Sequence, residues 1–551
     1  MAATDKSHFR DAGATSGATV DWRVWALWIV GFSIFSAILP RDVDYDVPHY
    51  QIHNGWAALH RRWGRDFAPA DMHSFINPAY NILVWWLIER LPGPMVSAIL
   101  SIPQALLLPG LFHLTRKGAT AITGVWSGPI CMCVAIVGFL AESQSGLYAS
   151  LRNDSWNAAA FIWALVLCLR DDGTLHDLKR LAFASLIMGA ALGMKATNLP
   201  YTIAFGVFVL FLARSNKQRL RATLVCAGVG FAAAAALALP YAWYLWIEFG
   251  NPVFPMANSL FDSPLGPTEY DAYVRRKPEG LIGHLVYPFL FTADGTLIGD
   301  AKHGDIRLLL GYAGATGLLA LAARAYFVRQ LLPAQRFIIA LSAAFLIGLF
   351  SWIDAFSVLR YYLAGWMIGP ALAYFLVLQA MGEKPLSRTV LIVGAGLGTV
   401  MLLTTISPMA WRRVAWTSPM APYLSADIPK LEQYEDSFIL FTGHFPTAFL
   451  ATQLPPSAIF GHALQDPYFE PALANYRPLM WDAIAASAKP VYAVMFSAPG
   501  PEGILPRLEK EGKLAGSPED CVRIKTNFDT PGTGWFICPV TRTAPVKVDK
   551  S

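Results

Sequence analysis

Charge is the first thing this chain has little of. Asp, Glu, Lys and Arg make up 15% of its residues, against a hydrophobic share of 55% and a mean hydropathy of +0.41. Soluble domains carry about a quarter charged residues, so the deficit points to an integral membrane protein. No Lys/Arg-rich stripe runs through the sequence and the net charge is only +5, so nucleic acid is not an expected partner. No Cys/His spacing matches a zinc site. No internal repeat is present. The polar N-terminus, 1–23, lacks a small-residue cleavage site behind a short apolar core, so the apolar run after it is expected to stay in place as a membrane helix.

What is there is a series of long apolar runs. Taking about 17–25 residues per crossing, about eleven spanning helices are expected, near 24–40, 94–114, 119–141, 155–170, 180–194, 197–213, 221–247, 306–327, 335–353, 360–381 and 388–407. The apolar stretch 80–92 is too short to span and reads as an interfacial or re-entrant helix. Orientation follows from basic residues, which concentrate in cytoplasmic loops. With the N-terminus inside, that side holds Arg116, Lys117, Arg170, Lys179, Arg180, Arg214, Lys217, Arg219, Arg221, Arg324, Arg329, Arg336, Lys384 and Arg388. The short loops of the other side hold only Arg152, Lys195 and Arg360. The chain thus divides into a cytoplasmic N-terminus (1–23), a polytopic α-helical body (24–407) with long outer loops at 41–93 and 248–305, and a small extracytoplasmic α/β domain (408–551).

Six cysteines occur in the chain. Cys131, Cys133, Cys168 and Cys226 lie in apolar runs, where a thiol behaves as a small hydrophobe. Cys521 and Cys538 lie in the polar C-terminal region, and an outer location makes a disulfide between them plausible. That region alternates strand-like pieces (SFILFTG, PVYAVMFSA, CVRIKT, GWFICPV) with helix-like ones (MWDAIAASA, LPRLEKEGKL).

The chemistry concentrates in the first outer loop. Residues 40–78 hold Asp42, Asp44, Asp46, Asp66 and Asp71 together with His49, His53, His60 and His73. Asp46, His49 and His53 are spaced by three and seven, which on a helix gives one face, and a carboxylate beside imidazoles makes a general-base site. The plainer reading of Asp46 is a helix N-cap ahead of Pro48, and Asp46→Asn is then expected to change stability little. Asp44 could equally be the base. His60 and His73 read as surface or interfacial polar groups. Other outer polar residues are Asp154 beside Arg152, then Lys195, then Arg360 with Tyr361, each basic one readable as a snorkelling cation or a phosphate ligand. The triplet Arg275-Arg276-Lys277 departs from the positive-inside trend and suggests lipid or phosphate contact. A transporter would bury its ionisable residues at mid-depth. Here they ring an outer face, as an enzyme at the membrane surface needs.

An apolar first helix, an outer loop opening with aspartate, and a many-spanning body with an outer C-terminal domain resemble glycosyltransferase superfamily C. More closely, YDVPHYQIHNGWAALHRRWGRDFAPADMHSFINP resembles the first loop of bacterial polyprenyl-phosphate-dependent members near the glycosyltransferase 87 group, with GAALGMKATNLPY, GNPVFPMANSLFDSP and VLRYY resembling later stretches. The resemblance implies a membrane glycosyltransferase of the bacterial cytoplasmic membrane, moving a sugar from a polyprenyl-phosphate donor to a hydroxyl of a glycan or lipid acceptor with inversion. It implies Asp46, failing that Asp44, as catalytic base. His49 and Tyr50 stand where the family is expected to have them in the opposite order. No nucleotide-binding Gly-rich loop is evident, which fits a lipid-linked donor. His49, His53, Asp154, Lys195, Arg275, Arg276, Arg360 and Tyr361 are the candidate substrate contacts. No cofactor is assigned; the carboxylate-rich loop could hold a divalent ion, though oxygen-ligand sites have no firm spacing. A flippase of lipid-linked sugars and a non-catalytic cell-envelope assembly factor are the other classes.

Overall fold

The computed structural model describes residues 20–267, 277–299, 304–327, 333–381, 394, 396, 398–400, 411–443, 447–464, 470–497, 501–512, 514–530 and 534–543. Among these, five helices are long and apolar enough to cross a membrane: Gly93–Thr123, Asn216–Phe249, Ile306–Arg324, Ala334–Ala355 and Leu359–Met381. Shorter apolar helices accompany them, including Trp22–Ile38, Gly128–Phe139, Asp154–Cys168, Leu178–Met194 and Gly280–Ala293. The chain is a multi-pass membrane protein.

We number the helices used below α1 (Trp22–Ile38), α2 (Ile52–Leu59), α3 (Ala79–Arg90), α4 (Gly93–Thr123), α5 (Gly128–Phe139), α6 (Asp154–Cys168), α7 (Leu178–Met194), α8 (Leu199–Leu212), α9 (Asn216–Phe249), α10 (Gly280–Ala293), α11 (Ile306–Phe327), α12 (Pro333–Ala355) and α13 (Leu363–Met381). The expected break between the second and third spans lies later than the hydropathy put it. α4 runs on to Thr123 and ends on Gly124 at φ 78°, the left-handed cap that glycine adopts without a Cβ penalty. The expected span 388–407 lies outside the described residues except for 394, 396 and 398–400.

Small residues let the helices approach. A Cβ on Gly189 of α7 would sit 2.1 Å from the Gly230 carbonyl oxygen of α9, and one on Gly138 of α5 would sit 2.2 Å from the Met367 oxygen of α13. The stretch 80–92 is the twelve-residue helix α3. It packs on α2 through Gly55, whose Cβ position is 2.0 Å from the Asn81 carbonyl oxygen, and Asn81 Nδ2 donates to the Gln51 carbonyl at 2.9 Å.

The C-terminal region is built on a seven-stranded sheet. Its strands are β3 (Ala426–Asp427), β4 (Phe438–Thr442), β5 (Ile459–Leu464), β6 (Val491–Ser497), β7 (Leu514–Ala515), β8 (Val522–Thr526) and β9 (Gly534–Arg542), ordered β3-β8-β9-β6-β4-β5 with β7 also on β9. β5, β4 and β6 run parallel, and β6, β9 and β8 antiparallel. The parallel strand β4 is buried throughout, as strands covered on both faces are. Cys521 and Cys538 are joined by a disulfide.

This domain is stitched to the first outer loop. β1 (Arg41–Asp42) pairs antiparallel with β2 (Arg413–Val414). Arg62 donates to the carbonyls of Pro456 and Ala458 at 2.7 and 2.6 Å, and Phe67 bridges Gly461. Arg413 reaches the carbonyls of Pro40, Tyr148 and Gly146 at 3.1, 2.6 and 2.7 Å. One apolar cluster, with Val47, Trp56 and Tyr80 beside Phe441, Phe449 and Trp535, spans loop and domain.

Candidate functional site

Arg152, Lys195 and Arg360 converge in space. Arg360 Nη2 lies 2.9 Å from Asp46 Oδ2, and Arg152 Nε lies 3.2 Å from the same oxygen. Arg152 also faces Asp42 at 3.8 Å and Asp44 at 3.6 Å, while Arg412 Nε is 3.7 Å from Asp44. Lys195 Nζ pairs with Asp154 Oδ1 at 2.7 Å, and Arg360 Nε is 3.8 Å from the other Asp154 oxygen. Four carboxylates and four cations therefore interlock, drawn from the first outer loop, the N-terminus of α6, the turn after α7, the turn before α13 and the entry to the C-terminal domain.

The frame is rigid and partly aromatic. Asp42 accepts from the Ser150 hydroxyl at 2.7 Å and from the Asp44 amide at 2.8 Å. The Arg152 guanidinium carbon sits 3.6 Å from the Trp411 ring centre, and Lys195 Nζ lies 4.7 Å from that of Tyr361, both cation–π distances. Arg152 is buried, so its charge is tolerable only because carboxylates surround it.

These neighbours set the protonation states. Burial pushes the Asp46 carboxyl up, but Arg360 and Arg152, with His73 and Lys195 behind them, outweigh it and hold the group well below the usual carboxylate range. Asp44 goes the other way: burial raises it and Asp42 and Asp46 repel its charge, with Arg152 and Arg412 only partly compensating. Asp46 is thus the firmly ionised carboxylate and Asp44 the more basic one.

Asp46 occupies an N-cap position, but no side-chain cap hydrogen bond forms; the following turn, Val47–Gln51, is a π-helix that leads into α2. A π turn advances more residues per revolution than an α turn, so the shared face inferred for Asp46, His49 and His53 does not hold as drawn. Among the described residues no hydrogen bond joins Asp46 to either imidazole. His49 packs its ring 4.9 Å from Tyr45, 5.1 Å from His73 and 6.5 Å from His462. His53 turns to Asn54, Nδ1 to Oδ1, at 3.2 Å. Burial, chiefly, pushes His49 well below its ordinary value, His53 down to about 4 and His462 down to about 3. These imidazoles are neutral at pH 7.

His73, expected as a surface or interfacial group, is half-buried and stacks on Tyr50 at 5.1 Å and 11°. His60 stacks on Trp56 at 5.2 Å. Asp154, Lys195, Arg360 and Tyr361 all lie in the cluster. Arg275 and Arg276 lie outside the described residues. Arg152, Arg412 and Trp411 were not singled out as site residues, although Arg152 was visible as one of the outlying outer cations. Nothing in the sequence links Trp411 or Arg412 to the first loop, because that contact depends on how the C-terminal domain docks. Among the described residues no group of three or more His, Cys, Asp or Glu is placed to hold a metal ion.

The helical membrane body, with its charged cluster beside a strand-containing C-terminal domain, has the fold of a solved glycosyltransferase. The solved arabinofuranosyltransferase AftD from mycobacteria shares it at a TM-score of 0.53 and 13% identity, over 94% of this chain and 40% of AftD, so the chain spans less than half the length of that protein. ArnT from Cupriavidus metallidurans overlays at TM-scores of 0.40 (bound to undecaprenyl phosphate, 13% identity, 95% of this chain and 98% of ArnT) and 0.42 (apo, 12% identity, 94% and 97%). No protein-family model and no curated protein matches the chain.

Proposed function

We propose that the protein is a membrane glycosyltransferase that moves a sugar from a polyprenyl-phosphate carrier to an acceptor hydroxyl on the outer side of a bacterial cytoplasmic membrane, with the N-terminus inside and the C-terminal domain outside. The observation that carries this reading is one ionised carboxylate, Asp46, held between Arg152 and Arg360 in a fold shared with a solved glycosyltransferase. Asp46 takes the acceptor proton as the acceptor oxygen bonds to the anomeric carbon. The bond from that carbon to the phosphate oxygen breaks, and the electron pair leaves with the polyprenyl phosphate. A single displacement inverts the anomeric centre. The charge that grows on the leaving phosphate is met by Arg360 and Lys195, donors already fixed in place.

The same geometry supports coupling between donor and base. Pinned by two guanidinium groups, Asp46 is weakly basic in the free protein. A donor phosphate offers Arg360 a bidentate partner in its place, and losing part of one cation raises the Asp46 carboxyl and strengthens it as a base. Donor then binds before proton transfer. The test is transfer by purified full-length protein from polyprenyl-phosphate sugars, with the anomeric configuration of the product read by NMR. A retained configuration, or the absence of transfer with every polyprenyl-phosphate sugar tried, would overturn this reading.

A further inference from the structure

The first outer loop has a second face that the charged cluster does not use. α9 has 34 residues, so at about 1.5 Å per residue it is about 51 Å long and exceeds a hydrocarbon core of about 30 Å. Its C-terminal part carries Tyr241 and Tyr244 to Trp63 and Ser74. There Trp63 lies 5.3 Å from Tyr244 at 25° and 4.8 Å from Tyr241, and Phe75 meets Tyr476 of the C-terminal domain at 5.5 Å. These rings wall an open cleft that is also lined by His53, Asn54, Arg62, Asp66 and Ser74, with about 40 Å³ of space for the centres of water-sized groups. That is room for a few such groups, since about 10–15 Å³ of this measure holds one water.

Most polar groups here are already engaged. Arg62 Nε donates to Asp66 Oδ2 at 2.7 Å, and the guanidinium also serves two backbone carbonyls. Tyr241 donates its hydroxyl proton to the Ser74 carbonyl at 2.9 Å. The exception is His53. It is 3% exposed, its Nδ1 faces Asn54, and its Nε2 has no hydrogen-bond partner among the described residues. With Nδ1–H donating to Asn54 Oδ1, Nε2 is a buried acceptor in want of a donor, a costly arrangement unless something fills it. The cleft holds no uncompensated charge. Aromatic faces, one buried neutral acceptor and space for a few hydroxyl-sized groups fit a neutral sugar lying over the rings with a hydroxyl turned inward.

We propose that this cleft is a sugar-binding subsite whose platform is Trp63 with Tyr244 and whose inner acceptor is His53 Nε2. His53 lies in the first turn of α2, just after the π turn that follows Asp46, so the subsite would hold a unit neighbouring the one that reacts. Its service to the acceptor rests on the transfer reading above; its capacity to bind sugar does not. The neutral imidazole, held at about 4 chiefly by burial, keeps Nε2 an acceptor at working pH.

The test uses the full chain in lipid nanodiscs, since the sugar head of a maltoside detergent would compete, applied to an array of neutral oligosaccharides. The expected result is glycan binding that weakens about tenfold in Trp63→Ala, less in Trp63→Phe, and again in His53→Ala. In all three variants the thermal shift produced by undecaprenyl phosphate should be kept, which also certifies folding. Absence of binding to any array member overturns the proposal, as does equal binding by wild type and Trp63→Ala. Sugar binding that depends on Trp63 without transfer in any assay would leave the subsite standing and remove the enzyme. Transfer with an acceptor KM indifferent to Trp63→Ala would keep the enzyme and remove the subsite.

Discussion

At the scale of the residue, Asp46 matters more to the fold than a capping aspartate would. Asp46→Asn was expected to change stability little, because asparagine caps helices well. Since Asp46 makes no cap bond and instead neutralises Arg152 and Arg360, its loss leaves two guanidinium groups leaning on Asp42, Asp44 and Asp154. The expected cost is about 1–3 kcal/mol, read as a lower melting temperature in nanodiscs; an unchanged melting temperature would contradict the ion-pair assignment. Arg360→Lys keeps the charge but loses the planar fork. KM for the donor should rise severalfold with a smaller change in kcat, and a donor KM within error of wild type would remove Arg360 from the phosphate site. Three of the site's residues were legible because Arg152, Lys195 and Arg360 are isolated basic residues between apolar runs whose other connecting segments carry several. Trp411 and Arg412 were not legible, since they sit in a run of the chain whose only tie to Asp44 and Arg152 is three-dimensional.

Among the elements, the pairing of α2 with α3 decides where the turn after Asp46 sits. The α3 stretch was recognisable as too short to span, and it is a twelve-residue helix. Its partner contact was not recognisable, because one glycine inside IHNGWAAL gives no pattern. Gly55 allows backbone contact with Asn81, and any Cβ there would meet backbone atoms at 2.0 and 2.6 Å. Backbone cannot yield as a flexible side chain can, so Gly55→Ala should cost at least the 1–3 kcal/mol or so typical of overpacking. It should also displace Gln51 from Asn81, and so move the π turn that follows Asp46. The predicted signature is a lower melting temperature together with a lower kcat; a variant as stable and active as wild type would show that the helices are not locked there. Hydrophobic periodicity marks helices but not whether a turn is π or α, which is why the shared face of Asp46, His49 and His53 was misdrawn.

At the scale of the whole molecule, buried imidazoles join the membrane body to the C-terminal domain. His49 and His53 lie on the first loop and His462 on β5. Their folded values lie below the ordinary 6.5 or so, so between about pH 6.5 and 4 the unfolded chain binds more protons and stability falls as pH falls. Asp46 acts in the same direction further down, its stabilisation being lost as pH drops through its depressed folded value. The melting temperature should decline from pH 7 to 4.5, with a shallower slope in His462→Gln; a flat profile would mean that these rings are solvated. Helices, loops and a C-terminal α/β region could be read from apolar run length and strand-like alternation. The antiparallel β1–β2 clasp could not, because two residues on each side carry no periodicity.

The proposed transfer turns on where the acceptor proton goes. The measurement is single-turnover transfer from a polyprenyl-phosphate sugar by folded, monodisperse wild type, Asp46→Asn and Asp44→Asn, at equal folded concentration and with donor saturating. The account predicts that Asp46→Asn slows transfer by about 10²–10⁴-fold, as loss of a general base does, while Asp44→Asn, which removes only a neighbouring charge, loses far less. Near wild-type turnover for Asp46→Asn with collapse for Asp44→Asn would move the base to the more basic carboxylate. Near wild-type turnover for both would contradict the account outright.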